Sequence, residues 1–146
     1  MFDGADAYNE GMELIDSHCH LDVTDFDADR QAVLARARAN GVRGFVVPGI
    51  QASGWPALQA LCDSEAGVYP ALGMHPVFLD QHQAADLQRL ESELATRRPV
   101  AVGEIGLDFY VSGLDHDRQQ QLFEAQLVMA RDAGLPVILH VRKSHD

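Results

Sequence analysis

Short apolar runs alternate along this chain with longer stretches of helical periodicity. The first run, Leu14 to His18, predicts a strand. Aspartates at 25, 27 and 29 then suit a helix N-terminus, and the helix runs through Val33, Leu34 and Ala37 to Asn40-Gly41. A second strand is predicted over Gly44 to Val47, closed by Pro48-Gly49, with a helix from about Trp55 to Cys62 behind it. The third strand covers Val68 to Leu72 and ends in Gly73-Met74-His75-Pro76; its helix spans about Ala84 to Thr96, with Leu87, Leu90 and Leu94 on one face. The fourth strand, Val100 to Glu104, opens into Gly106-Leu107-Asp108-Phe109-Tyr110. A long helix from about Asp117 to Ala133 follows, stopped by Gly134, and Pro136 to Val141 forms the fifth strand.

Such a β-α rhythm implies a parallel α/β sheet with right-handed crossovers. A (β/α)8 barrel and an open doubly wound sheet both satisfy it, and both carry their chemistry at the C-terminal ends of strands. A complete barrel takes about 250 residues, whereas this chain has 146. The expectation is therefore the first five strands and four helices of a TIM-type barrel, over residues 13 to 146. Five parallel strands leave apolar edges that invite self-association. Residues 1 to 12 read as a disordered leader, with Met12 a candidate natural start.

Polar residues interrupt the apolar runs at one recurring place. His18 and His20 follow the first strand two residues apart, so an extended backbone points both imidazoles to one side and Cys19 to the other. Converging imidazoles make a half-site for a divalent metal. Glu104 and His140 close the fourth and fifth strands, and His75 the third. A glutamate there can bridge metals or pair with an arginine; the three histidines at comparable positions favour the ligand role. His75 is either a turn residue or a contact to a substrate phosphate. Arg142, two positions after His140, either grips a phosphate or forms a surface ion pair. Asp108 orients a ligand histidine or starts a loop. His82, His116 and His145 read as surface or satisfied core residues, Cys19 as packing behind the strand, and Trp55 as helix packing in preference to a base-stacking platform.

Composition narrows the class further. The chain is 47% hydrophobic and 23% charged, ordinary for a globular protein. A formal net charge of −11 argues against a protein that coats nucleic acid with a basic face. It leaves room for an enzyme that meets phosphates locally through bound cations. The two cysteines, Cys19 and Cys62, lack CxxC spacing and fit a reduced, cytoplasmic protein. No apolar run is long enough to span a membrane, and the acidic N-terminus is not a signal peptide.

Four segments, Leu14 to Asp22 (LIDSHCHLD), Gly73 to Pro76 (GMHP), Val102 to Tyr110 (VGEIGLDFY) and Pro136 to Arg142 (PVILHVR), stand in the order found in TatD-type deoxyribonucleases. The Gln-rich stretch with Phe123 and Gln126 also resembles that family. The resemblance runs from about residue 13 to the end, and GEIGLD is its most specific part. It implies a TIM-barrel, metal-dependent hydrolase that cuts DNA or small phosphodiesters with two divalent ions, chosen among Zn, Mg, Mn, Co and Ni. By motif, His18 and His20 hold one ion, Glu104 is the catalytic residue that bridges both, and His140 holds the second. A further histidine and aspartate are implied from later strands; His145 and Asp146 follow the fifth strand too closely to be those two. The alternatives are a PHP-like phosphoesterase, an amidohydrolase acting on C–N bonds, and a truncated, non-catalytic fragment.

Overall fold

A computed structural model describes residues 13 to 144. The expected leader, His145 and Asp146 lie outside the described residues. Strands β1 (Leu14–Asp16), β2 (Val42–Pro48), β3 (Val68–Leu72), β4 (Ala101–Asp108) and β5 (Val137–Arg142) form one sheet in the order β1-β2-β3-β4-β5, every pair parallel. Helices α1 (Arg30–Ala39), α2 (Trp55–Ser64), α3 (Ala84–Thr96) and α4 (His116–Ala133) supply the crossovers. Neighbours in sequence are neighbours in the sheet throughout. A doubly wound sheet reverses its strand order at a switch point; this one does not, so it is the five-stranded arc of a barrel.

The core lies between the sheet and its helices. Leu34 from α1, Val47 from β2, Leu58 from α2, Leu90 from α3 and Val102 and Ile105 from β4 are fully buried. Burial of side chains of this size contributes roughly 1.5–3 kcal/mol each. Trp55 starts α2 and is buried in the same cluster, which excludes a base-stacking role. The edges are different: Ile15 on β1 is 70% exposed, and Leu139 and Val141 on β5 are 49% and 48% exposed. Among the described residues, no helix is long and apolar enough to cross a membrane.

The helices lie close to their predicted ranges, but two strand ends do not. β1 stops at Asp16, because the Asp16 carboxylate accepts the backbone N–H of His18 and bends the chain there. The backbone remains near its neighbour, since Cys19 N–H donates to Val46 O at 3.1 Å. β4 runs four residues past Glu104, to Asp108, so Glu104 stands in the middle of a buried strand and not at its end. Gly106 makes that continuation possible. Its φ is +144°, and a Cβ there would meet His140 O on β5. The pairing of β4 with β5 steps from Val102↔Val137 to Ile105↔Leu139, so β4 holds one extra residue around Glu104. A 3-10 segment over Pro76–Gln81, not foreseen, follows β3.

Candidate metal centre

Glu104 is buried, and four imidazole nitrogens face its two oxygens. His18 Nε2 lies 3.1 Å and His20 Nε2 3.4 Å from Oε2. His140 Nδ1 lies 3.1 Å and His75 Nε2 3.5 Å from Oε1. These groups form two overlapping triads, His18–His20–Glu104 and His75–Glu104–His140, each with its ligand atoms within 4.8 Å of one another. Glu104 lies at the bulge in β4, where side chains from the segments after β1 and β3 and from β5 itself meet its carboxylate.

Burial opposes ionisation of Glu104, yet hydrogen bonds from His20 and His75 and the nearby charge of His75 and His18 outweigh it, holding the carboxyl far below its usual range. His20 is raised, mainly by its hydrogen bond to Glu104, against the opposing effect of burial. Asp108 is fully buried but also held below the ordinary carboxylate range, because the N–H groups of Val111 and Tyr110 and the ring of His140 outweigh desolvation.

The donor set fits a divalent cation. Ligands about 2.0–2.1 Å from a tetrahedral ion stand roughly 3.3–3.4 Å apart. The His18–His20–Glu104 triangle has edges of 3.4, 3.1 and 3.4 Å. With a cation in place of the ring proton they share, two ring nitrogens and one carboxylate oxygen so arranged would offer three lone pairs to one point. Nδ1 of His20, by contrast, is buried without a partner. Imidazole and carboxylate ligands suit Zn, Mn, Co or Ni, while Mg prefers oxygen.

The two triads are not equivalent. His140 Nε2 lies 2.9 Å from Asp108 Oδ2. An ionised carboxylate only accepts, so Asp108 holds a proton on Nε2 and leaves Nδ1, 3.1 Å from Glu104 Oε1, as the ring atom that would meet a cation. His75 is held the other way. Its Nδ1 accepts from Val77 N–H at 3.2 Å, so its proton sits on Nε2, facing Glu104. His75 therefore presents a donor to the site, whereas His140 presents the nitrogen that would ligate a cation. Behind His75, the ring of His82 reaches His75 O at 2.8 Å; His82 is buried, and burial depresses its basicity. That is the satisfied core role expected for it.

Arg142 does not reach these triads in the described geometry. It stacks on Tyr110, 3.8 Å from the ring centroid, and has no ion-pair partner among the described residues. His116 stacks on Phe109 outside the site. Both cysteine thiols are pushed up to about 12, chiefly by burial, as packing residues should be. Two buried residues of α4, Gln119, not singled out in the sequence, and Gln126, noted there only for its resemblance, bond the backbone at Asp108 and Met74. Their spacing of seven was the available signal.

Comparison with known proteins agrees with this geometry. The family model "TatD related DNase" matches residues 15–146. An uncharacterised metal-dependent hydrolase of Escherichia coli K12, YjjV, is 43% identical over 135 residues, covering 90% of this chain and 52% of the relative. The 3'-5' ssDNA/RNA exonuclease TatD of a Pantoea species (strain At-9b) is 36% identical over 134 residues, covering 91% of this chain and 52% of that protein. The crystal structure of YjjV superposes with a TM-score of 0.85 over 91% of this chain and 52% of its own. A TatD family hydrolase from Entamoeba histolytica, 22% identical, shares the fold with a TM-score of 0.77 over 91% of this chain and 51% of its own. The chain thus spans about half the length of the relatives it matches.

Proposed function

This chain belongs to the TatD-related DNase family, and from that premise we propose that it supplies part of a metal-dependent phosphodiesterase centre acting on DNA. The observation that carries the proposal is the convergence of imidazole nitrogens from three separate segments on the one buried carboxylate of Glu104. His18, His20 and Glu104 hold one divalent ion; Glu104 and His140 contribute to a second. Divalent ions in such a site supply positive charge to a phosphoryl oxygen and acidify a bound water.

The chain's own residues divide the remaining work. Glu104 stays ionised across the working pH range, because its carboxyl is held far below the usual value. Asp108 keeps the proton of His140 on Nε2 and so keeps Nδ1 free as a ligand. His75 directs its Nε2–H into the site and binds a non-bridging phosphate oxygen of the substrate. Arg142, released from Tyr110, adds a second phosphate contact. That the Pantoea relative is named an exonuclease of single-stranded DNA and RNA favours a single strand as the substrate.

The test compares the wild type with Glu104→Ala on single-stranded DNA, nitrophenyl phosphodiesters and monoesters, and cyclic amides, with Mn, Zn, Co and Mg. Metal-stimulated cleavage of the diesters, lost in the variant, is the expected result. Equal activity of wild type and variant refutes the site, and turnover confined to monoesters or amides moves the reading to a phosphatase or an amidohydrolase.

A second reading rests on the exposed apolar edges at Ile15, Leu139 and Val141. These edges favour association with further strands, through self-association or a completing segment. Gel filtration with metal analysis separates the readings: a stable monomer that binds metal tightly sinks this one.

A further inference from the structure

Helix α4 carries two buried glutamines on one face, Gln119 and Gln126, 1% and 0% exposed. A spacing of seven residues puts them two turns apart on that face. Their amides make the same unusual pair of bonds. Gln119 Oε1 accepts from Asp108 N–H at 2.8 Å, while its Nε2 donates to Asp108 O at 2.9 Å. Gln126 Oε1 accepts from Met74 N–H at 2.7 Å, while its Nε2 donates to Met74 O at 3.2 Å. Each side chain satisfies both polar groups of one backbone unit, as a neighbouring strand would.

The two backbone units clamped this way are not arbitrary. Met74 immediately precedes His75, and it lies past the end of β3, which pairs with β4 through Ala71 and Leu72. Asp108 is the last residue of β4 and holds the ring of His140. Asp108 is itself saturated, since its other carboxylate oxygen accepts from Tyr110 N–H at 2.9 Å and Val111 N–H at 3.0 Å. One helix face therefore fixes the backbone behind both histidines that flank Glu104 Oε1. No such bond reaches the segment carrying His18 and His20 among the hydrogen bonds of α4.

We propose that Gln119 and Gln126 are positioning residues, a two-point clamp from α4 that sets the ring orientations of His140 and His75. Gln119 acts through Asp108 and Gln126 through Met74. A glutamine that only filled the core would be replaceable by methionine of similar length. A glutamine that clamps would not, because the freed N–H and C=O remain buried and unpaired.

The inference rests on the metal-centre reading for what the clamp serves, but its test uses metal-free protein. Wild type, Gln119→Met and Gln126→Met of this chain are compared at pH 8.5, where free imidazoles are neutral. Amide hydrogen exchange and ring 15N spectra are recorded for each. Gln126→Met is expected to speed exchange at Met74 by at least about tenfold and to average the His75 ring signals between tautomers. Gln119→Met is expected to do the same at Asp108 and His140. His18, His20 and the amides of β2 stay as in the wild type. Unchanged His75 and His140 signals, or equal changes at all four rings, overturn the clamp. If a methionine variant does not fold, Gln→Glu at the same position carries the test, since it keeps the acceptor and loses the donor. Failure of wild-type protein to bind any cation sinks the metal reading instead and leaves this measurement to decide the clamp.

Discussion

The two sides of Glu104 are built on opposite plans. On one side, His18 and His20 sit in a bent segment after a three-residue strand, with side chains 38% and 34% exposed. Their positions answer to Glu104 and to each other more than to the scaffold. On the other side, His75 and His140 have side chains 10% and 20% exposed. They are braced by Val77 N–H, His82, Asp108 and the two glutamines of α4. The first side offers two ring nitrogens on an exposed, lightly braced support; the second offers one ligand and one donor on a buried, braced one. A cation is thus expected to tighten the first side more than the second.

The largest effect should come from the residue the two sides share. Glu104→Gln keeps the shape and removes the charge, and cation binding should fall by more than about a hundredfold, beyond what loss of an outer partner causes. Isothermal titration with Zn or Mn checks it. Retention of wild-type affinity would detach Glu104 from the site. Next in size is the contrast between single ligands. His18→Ala should abolish the tighter binding event, whereas His75→Ala should leave cation affinity within a few-fold and raise KM for a phosphodiester. The same loss of affinity in both variants would make His75 a ligand and erase the distinction drawn from its Nδ1 contact.

Asp108→Asn tests the bracing of the second side. An asparagine can donate where the carboxylate accepts, which frees His140 to place its proton on Nδ1. Cation affinity associated with His140 should drop by about 10–100-fold, as for other outer partners of ligand histidines. Binding at His18 and His20 should not change.

The smallest effect is a rate difference between two thiols. Cys19 lies between the exposed histidines and Cys62 in α2, and burial raises both thiols from 9.0 to about 12. A raised acid resists deprotonation in the folded state, so the stability this contributes is complete below pH 9 and lost as pH rises toward 12. At pH 8 both should alkylate slowly with iodoacetamide. Because the two thiols start equal, faster modification of Cys19 measures opening of the segment after β1, and added Zn should slow it. Cys62 reacting first would contradict the lightly braced first side.

Much of this was legible in the residues. Alternating apolar runs and amphipathic stretches placed every strand and α-helix, helped by closing residues such as Asn40-Gly41, Pro48-Gly49, Gly73 and Gly134. The convergence of His18, His20, Glu104 and His140 was visible from their recurrence beside strand ends. The limits of β1 and β4 were not. Gly106 looks like a loop opener in sequence, yet it is a strand residue whose missing side chain admits the backbone of β5. The pairing that makes β4 continue past Glu104 is with residues more than thirty positions away. His75 was placed at the site by its strand end, but its proton position depends on Val77, and the roles of Gln119 and Gln126 depend on backbone groups of other segments. Such roles arise from tertiary contact and leave little local trace. That the expected side chains lie together reflects how strongly a parallel sheet gathers polar residues at its C-terminal mouth.

Crystals of this chain soaked with Mn or Zn, measured at the metal's absorption edge, address the shared carboxylate directly. The account predicts an anomalous peak inside the His18–His20–Glu104 triangle and a second, weaker one beside Glu104 Oε1 and His140 Nδ1. Saturating metal with no peak in contact with Glu104 would contradict it.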